Sequence, residues 1–300
     1  MLSISSDCSG IEAPIEALNQ LNVKYRHVWS CDYDKYVKEM ILENYNPELF
    51  FDDVFKRNVK NLPNVDIYVC GFPCQSYSSI GKMQGSKDPR SNVMKECLKV
   101  IRIKKPKVFI LENVKNFQSV ENGKMFNYLL ENIDSKIYNV YYKLLNTKDY
   151  GIPQNRKRIY FIGIKKSIQN AEFQFPKVKQ MKPIDTIFKD HKIYNIPISK
   201  SLDKNLKVIN YEKGYLVTPF TFATIVKGYS PTLTTNCSQI YSTTYKRYLT
   251  IPECLRLQGF KTKLNQVVSN TQFYKQIGNS MSINVLKELF KEIFKVTDLK

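Results

Sequence analysis

Cys74 and Glu112 are the side chains that the sequence places best for covalent chemistry. The apolar run Asp66-Ile67-Tyr68-Val69-Cys70 reads as a short buried strand that breaks at Gly71-Phe72-Pro73, and a cysteine follows at once. A thiol just past the carboxyl end of a strand lies where open α/β sheets collect their ligands. A second apolar run, Val108 to Leu111, ends in Glu112-Asn113-Val114. A nucleophile and a carboxyl at the ends of two strands of one sheet form an active-site arrangement. In Gln154-Asn155-Arg156-Lys157-Arg158, strand alternation sends Arg156 and Arg158 to one face and Lys157 to the other. Two guanidiniums on one face suit a carbonyl or a phosphate, although a solvated edge strand would show the same pattern.

A second group of residues suits a small ligand. Asp7-Cys8-Ser9-Gly10-Ile11-Glu12 joins the first strand to a helix. Gly10 lets the backbone approach a ligand, and the helix start offers free N–H groups. Asp32 ends the second strand and is suited to gripping ribose hydroxyls. Glu12 stands where a phosphate would approach, which argues against a dinucleotide and leaves room for a nucleoside cofactor without phosphates. Asp53 is suited to accept from an exocyclic amine. Taken singly, each acid reads equally well as a cap or a solvated loop residue.

The elements that must hold these residues alternate strand and helix, the mark of βαβ units and a parallel sheet. Leu2 to Ser6 is the first strand and His27 to Cys31 the second. Ile11, Ile15, Leu18 and Leu21 recur at helical spacing, with Pro14 tolerable in the first turn. Val37, Ile41 and Leu42 mark the next helix face. Ile137 to Asn146 and Ile159 to Ile164 are later strands. From 167 to 246 prolines, Lys, Asn and Thr dominate and periodicity weakens, as in a small inserted domain. Order returns from 247, and Val285, Leu286, Leu289, Phe290, Ile293 and Phe294 form a helical stripe that packs on the main sheet.

Composition narrows the function classes. The chain has 300 residues, 46 Lys and Arg against 27 Asp and Glu, and a net charge of +19. That excess favours a polyanion, nucleic acid first, although a lysine-rich surface or an AT-rich genome would produce it too. Seven scattered cysteines and only two histidines, His27 and His191, argue against a disulfide framework and a zinc site, so no metal is expected. Most of the cysteines are expected to be small buried hydrophobes in a reducing compartment. No run approaches a membrane span, and Met1 to Ser5 reads as the start of a core strand, not a secretion signal.

The motifs in order resemble those of the cytosine-C5 DNA methyltransferases: Ser9-Gly10-Ile11, Gly71-Phe72-Pro73-Cys74-Gln75, Glu112-Asn113-Val114, the Gln-x-Arg-x-Arg of 154–158, and Gln276-Ile277-Gly278-Asn279. Asp149 to Gln154, Ser230 to Thr234, Leu249 to Cys254 and Arg256 to Phe260 extend the match. The resemblance covers nearly the whole chain except about 167 to 228. It implies a Rossmann-like, doubly wound α/β catalytic domain with a mixed sheet (1–166), a small inserted target-recognition domain (167–246), and a return to the catalytic domain (247–300).

It implies catalysis by Cys74, whose thiolate adds to carbon 6 of a flipped-out cytosine, with S-adenosylmethionine as methyl donor. Glu112 would protonate ring N3 from a carboxyl raised by burial, Arg158 would contact the base carbonyl, and Arg156 would support it. Ser9, Gly10 and Ile11 would contact the methionine part, Asp32 the ribose, Tyr33 the adenine face, and Asp53 and Val54 its edge. Phe72 and Pro73 would line the pocket, and Asn279 and Ser280 would close it. Ser76 to Asn92, with hinges at Gly81 and Gly85 and cations at Lys82, Lys87 and Arg90, is expected to close over DNA. Thr232, Thr234, Thr235 and Asn236 are candidates to touch DNA. The expected partner is double-stranded DNA, with no membrane, a monomeric state, and a possible cognate restriction endonuclease. The expected location is the cytoplasm of a prokaryotic or phage- or virus-infected cell. An RNA (tRNA) methyltransferase of the same fold and a non-enzymatic DNA-binding relative are the alternatives; the Cys-Phe-Thr tripeptide of the tRNA branch is absent. Glu12 and Ala13 depart from the family's glycine-rich loop, Cys8 stands where phenylalanine is usual, and Cys70 replaces a common glycine.

Overall fold

The computed structural model describes residues 1–73, 91–189, 191–219 and 223–299. They form two compact units: Met1–Leu145 with Lys157–Lys177 and Leu286–Lys300, and Asn146–Arg156 with Val178–Val285.

The first unit is built on a seven-stranded mixed sheet in the order β3-β2-β1-β4-β5-β7-β6. Its strands are β1 Leu2–Asp7, β2 Tyr25–Cys31, β3 Leu49–Phe51, β4 Ile67–Cys70, β5 Val108–Val114, β6 Tyr138–Asn146 and β7 Lys157–Lys165. The pairs from β3 through to β5 are parallel, and β7 runs antiparallel to β5. β1 and β4 are buried on both faces, so both read as continuous apolar or small-residue runs, as parallel strands between helical layers must.

The chain winds outward from β1 through β2 to β3, then returns to place β4 on the other side of β1. This reversal is the switch point where such sheets open a crevice at the strand carboxyl ends. Register aligns those ends: Asp7 lies beside Cys31 and Cys70, and Cys70 lies beside Leu111. The segments that carry Ser9, Asp32 and Phe72 after β1, β2 and β4 therefore start at one edge, and Glu112 follows Leu111 within β5.

Helices α1 (Ala13–Gln20), α2 (Lys35–Asn44), α3 (Ser91–Lys104) and α4 (Lys124–Glu131) link the strands. Asp34 caps α2 by accepting from Tyr36 N–H at 3.0 Å. On α2 the inward residues are Val37, Met40 and Ile41; Leu42, expected on that face, is 43% exposed, because it lies one step of the helix beyond the stripe.

The second unit carries a four-stranded antiparallel sheet, ordered β11-β10-β8-β9, from β8 Tyr215–Val217, β9 Ile225–Lys227, β10 Tyr241–Ser242 and β11 Arg247–Tyr248. α5 (Lys200–Lys207) lays Leu202 and Leu206 into a small core with Val217 and Tyr241. α6 (Ile251–Gln258) starts at a capping box made by Thr250 and Glu253, and Glu253 also takes a two-pronged bond from Arg247 at 2.9 and 2.7 Å. α7 (Asn270–Asn279) follows, and α8 (Ile283–Lys295) carries the chain back into the first unit with its six-residue apolar stripe buried.

Compactness divides the chain differently from composition. The second unit begins at Val178, not 167, keeps 247–285, and gains 146–156. The physical reason is a set of buried side-chain to backbone bonds. Gln154 Nε2 donates to the Leu257 carbonyl at 2.8 Å, Leu233 N–H donates to Gln154 Oε1 at 3.0 Å, and Gln258 Nε2 donates to the Ile277 carbonyl at 2.7 Å. Uncharged amides that satisfy buried carbonyls in this way carry no periodic signal.

Candidate active site

The loop after β1 and the end of β2 form one bonded assembly. Gly10 N–H donates to Asp32 Oδ2 at 3.0 Å, and Asp34 N–H donates to Asp32 Oδ1 at 3.1 Å. Burial pushes the Asp32 carboxyl up to about 6, against these two bonds, which pull it down. Gly10 has φ +54°, and a Cβ there would meet nothing within 4 Å. Open space in front of a glycine backbone, next to a carboxylate acceptor, fits a nucleoside donor with ribose hydroxyls. Tyr33 is 80% exposed, free to lie along a ligand face. The Ser9 hydroxyl is taken up internally, donating toward the Ser6 and Cys31 carbonyls at 3.1 and 3.2 Å, so Ser9 presents backbone to the site. Ile11 is buried in the core.

Glu12 differs most from expectation. Its carboxylate does not face the ligand space; it is fully buried and accepts from Ser6 Oγ at 2.7 Å and Ser30 Oγ at 2.6 Å. His27 Nε2 lies 3.4 Å from the same oxygen. The sequence suggested a charge standing where a phosphate would approach, but the side chain turns inward because β1 and β2 offer it hydroxyl donors.

Asp53 and Val54 follow β3 in a turn closed by Phe55 N–H donating to Asp53 Oδ1 at 2.9 Å, with Val54 buried. Three residues later Arg57 is anchored by a buried ion pair that the sequence did not reveal. Its Nη1 donates to Asp7 Oδ1 at 2.5 Å and its Nη2 to Asp7 Oδ2. Tyr68 OH donates to Asp7 Oδ2 at 2.6 Å, and Trp29 Nε1 lies 3.4 Å from Oδ1. Burial alone would lower the Arg57 affinity for its proton, but the facing Asp7 carboxylate reverses that and holds it charged. The turn bearing Asp53 and Val54 is thereby tied to the end of β1.

Of the residues expected to be catalytic, Glu112 is the fifth residue of β5 and Arg158 the second of β7. Glu112 pairs with Tyr160 and Val114 with Arg158, so all four face one side of the sheet and the two charges are diagonal neighbours. Arg158 Nε lies 3.2 Å from Glu112 Oε1, with side chains 15% and 10% exposed. Next to it, Asn113 is fully buried; its amide donates to the Phe72 carbonyl at 3.3 Å and accepts from Val114 N–H at 2.8 Å. Asn113 therefore fixes the Gly71-Phe72-Pro73 segment that leads to Cys74. Phe72 is buried with its ring edge-on to Phe117 at 5.3 Å, so it packs the core and leaves Pro73, half-buried, nearer the open edge. Cys74 and Ser76 to Arg90 lie outside the described residues.

Arg156 does not share the setting of Arg158. β7 begins at Lys157, so strand alternation does not reach Arg156. It belongs to the second unit, 3% exposed, and its guanidinium donates to the carbonyls of Leu233 at 2.7 Å, Gly278 at 3.2 Å and Ser280 at 2.8 Å. It braces the end of α7, where Asn279 is exposed and Ser280 is buried.

The six described cysteines are free. Burial pushes the thiols of Cys31 and Cys70 up, as suits packing rather than nucleophilic cysteines. Among the described residues no cluster of three metal-binding side chains occurs, and no helix is long and apolar enough to cross a membrane.

Comparison with known proteins matches this architecture to one family. The profile of the C-5 cytosine-specific DNA methylases matches residues 1–295. The chain belongs to that family. It is 33% identical over 283 residues to the type II methyltransferase M.HhaI of Haemophilus parahaemolyticus, covering 87% of this chain and 85% of that one. With M.Bsp6I of a Bacillus strain the identity is 30%, over 98% of this chain and 99% of the relative. With M.BsuFI of Bacillus subtilis it is 31%, and there the match spans 65% of the relative's length. Among solved structures, the Entamoeba histolytica methyltransferase EhMeth superposes with a TM-score of 0.76 at 19% identity, covering 100% of this chain and 99% of that chain. As a member of the family, this methyltransferase takes its methyl group from S-adenosylmethionine and has DNA as its substrate.

Proposed function

We propose that the protein methylates carbon 5 of a cytosine extruded from duplex DNA. The observation that carries this reading is the Glu112–Arg158 pair beside the strand end that runs through Phe72 into Cys74. S-adenosylmethionine, when bound, supplies the methyl group as an electrophile. Ser9, Gly10 and Ile11 would hold its methionine part through backbone, Asp32 its ribose, Tyr33 its adenine face, and Asp53 and Val54 the adenine edge. Pro73 would border the same space.

Cytosine C5 is a poor nucleophile, so the enzyme must raise its electron density. Cys74 thiolate adds to C6, forming the S–C6 bond and pushing the ring electrons toward N3 and C5. Glu112 delivers and holds a proton at N3, and Arg158, released from it in part, meets the carbonyl oxygen. C5, so activated, would form its bond to the methyl group as the methyl–sulfur bond breaks and the thioether leaves; loss of the C5 proton to solvent, elimination of Cys74 and return of the N3 proton to Glu112 then restore the aromatic ring. Arg156 contributes by bracing 278–280, not by touching the base. Methyltransferases are among the enzymes that extrude their target base.

The stretch 178–246 is proposed to read sequence in the major groove, with Thr232, Thr234, Thr235 and Asn236 near the DNA. We further propose that the protein acts as a monomer in the cytoplasm of a prokaryotic or phage- or virus-infected cell, alongside a cognate restriction endonuclease. The test is incubation with labelled S-adenosylmethionine and either duplex DNA or tRNA. Label in DNA supports the reading; label only in tRNA, or in neither, overturns it.

A further inference from the structure

The loop joining β1 to α1 is held in an unusual backbone path. Cys8, Gly10 and Glu12 all have positive φ, at 51°, 54° and 52°. Two of the three are not glycine, and side chains with a Cβ are sterically penalised there. Such a path persists only when surrounding bonds over-determine it. Main-chain bonds supply part of the restraint: Ser9 N–H donates to the Cys31 carbonyl at 3.1 Å, and Glu12 N–H donates to the Ser9 carbonyl at 3.0 Å.

The rest comes from the Glu12 carboxylate. It accepts from Ser6 on β1 and Ser30 on β2, so one side chain at the loop's end grips both strands from which the site is built. A hydroxyl has one proton. Ser6 Oγ reaches Glu12 and also lies 2.7 Å from Ser9 Oγ, which accepts from Cys31 N–H at 3.0 Å. Ser30 Oγ likewise faces His27 Nε2 at 3.0 Å. The chain of bonds thus runs from Glu12 through Ser6 and Ser9 to Cys31, and the next residue is Asp32, which takes the Gly10 N–H.

We propose that Glu12 is a positioning residue for the methyl donor: its buried carboxylate locks the 8–12 loop onto β1 and β2, keeping Gly10 on Asp32 and the space before Gly10 open. The inference rests on the reading of Gly10 and Asp32 as the donor site. It gives the departure from a glycine-rich loop a physical role, since hydrogen bonds replace backbone permissiveness in holding the same path.

Four proteins test it: wild type, Glu12→Gln, Glu12→Ala and Ser30→Ala. S-adenosylmethionine binding is measured by titration calorimetry without DNA, thermal unfolding without ligand, and KM for donor and for DNA alongside kcat. Gln retains the Oε1 acceptor, so its donor Kd is expected within about threefold of wild type. Ala loses both hydroxyl anchors, and donor Kd and donor KM are expected to rise about thirtyfold or more, with the KM for DNA and kcat at saturating donor within about twofold. Ser30→Ala removes one anchor and is expected to fall between them, which keeps the test decisive if Glu12→Ala unfolds. Unchanged donor Kd in Ser30→Ala or Glu12→Ala, whatever their thermal stability, would overturn the proposal. So would equal losses in donor and DNA affinity, the mark of a general loss of structure. A wild-type protein that binds no donor would overturn the donor-site reading itself, and the inference with it.

Discussion

Replacing Arg57 by Met tests whether the buried ion pair at the end of β1 holds the site together. The Arg57 side chain is 2% exposed and that of Asp7 fully buried. Removing the guanidinium leaves the Asp7 carboxylate with two uncharged donors, Tyr68 OH and the Trp29 indole N–H. Stranding one member of a buried pair costs about 3–5 kcal/mol. Removing both charges, as in Asp7→Asn with Arg57→Met, costs far less, about 0–2 kcal/mol relative to wild type. For a chain of this size the single variant is expected to lose about 6–10 °C in melting temperature, and the double variant to recover most of it. Trp29 is the chain's only tryptophan and lies against Asp7, so its fluorescence reports on this place during urea unfolding. Arg57→Met should also weaken donor binding, because the turn bearing Asp53 and Val54 loses its tether. A single variant within about 1 kcal/mol of wild type, or a double variant no more stable than the single, would refute the reasoning.

Arg156→Met should destabilise the second unit by about 2–4 kcal/mol, because the Leu233 and Gly278 carbonyls lose their charged donor while Ser280 keeps Gln258 Nε2 at 3.2 Å; urea unfolding and limited proteolysis read this out. Glu112→Gln should slow single-turnover methyl transfer about a hundredfold or more and leave donor Kd unchanged, as quenched-flow and calorimetry would show. For Asp32 the folded carboxyl, near 6, lies above its ordinary 3.8. Its contribution to stability is therefore fully present below 3.8 and lost as pH rises through about 6. Donor binding needs the ionised acceptor, so affinity should fall by up to about tenfold per pH unit as pH drops below about 6, and Asp32→Asn should flatten the profile.

The strands nearest the site were legible because β1, β4 and the start of β5 are sandwiched between layers, and a strand with two dry faces is an unbroken apolar run. Glu112 and Arg158 were legible one by one, because each stands inside a recognisable motif near the end of an apolar run; their ion pair was not. What stayed hidden was the polar scaffolding. Arg57 reads as one more cation in a basic chain until the fold brings Asp7 to it from fifty positions away. Glu12 resembles an obstacle in the loop until Ser6 and Ser30 are seen beneath it. Arg156 was misplaced by extending β7 one residue too far, which set it on the face of Arg158 when its bonds go to 233, 278 and 280. Long-range hydrogen bonds have no period, so local pattern cannot find them.

The central claim is that Cys74 bonds transiently to the target base. The direct measurement first maps the methylated site by bisulfite sequencing of DNA from cells expressing the protein. Purified enzyme and S-adenosylmethionine are then incubated with a duplex carrying 5-fluorocytosine at that position. Fluorine blocks loss of the C5 substituent, so the adduct should survive denaturation, and peptide mass spectrometry should place it on Cys74. An adduct on another side chain, or none from enzyme that methylates the unmodified duplex, would contradict the account.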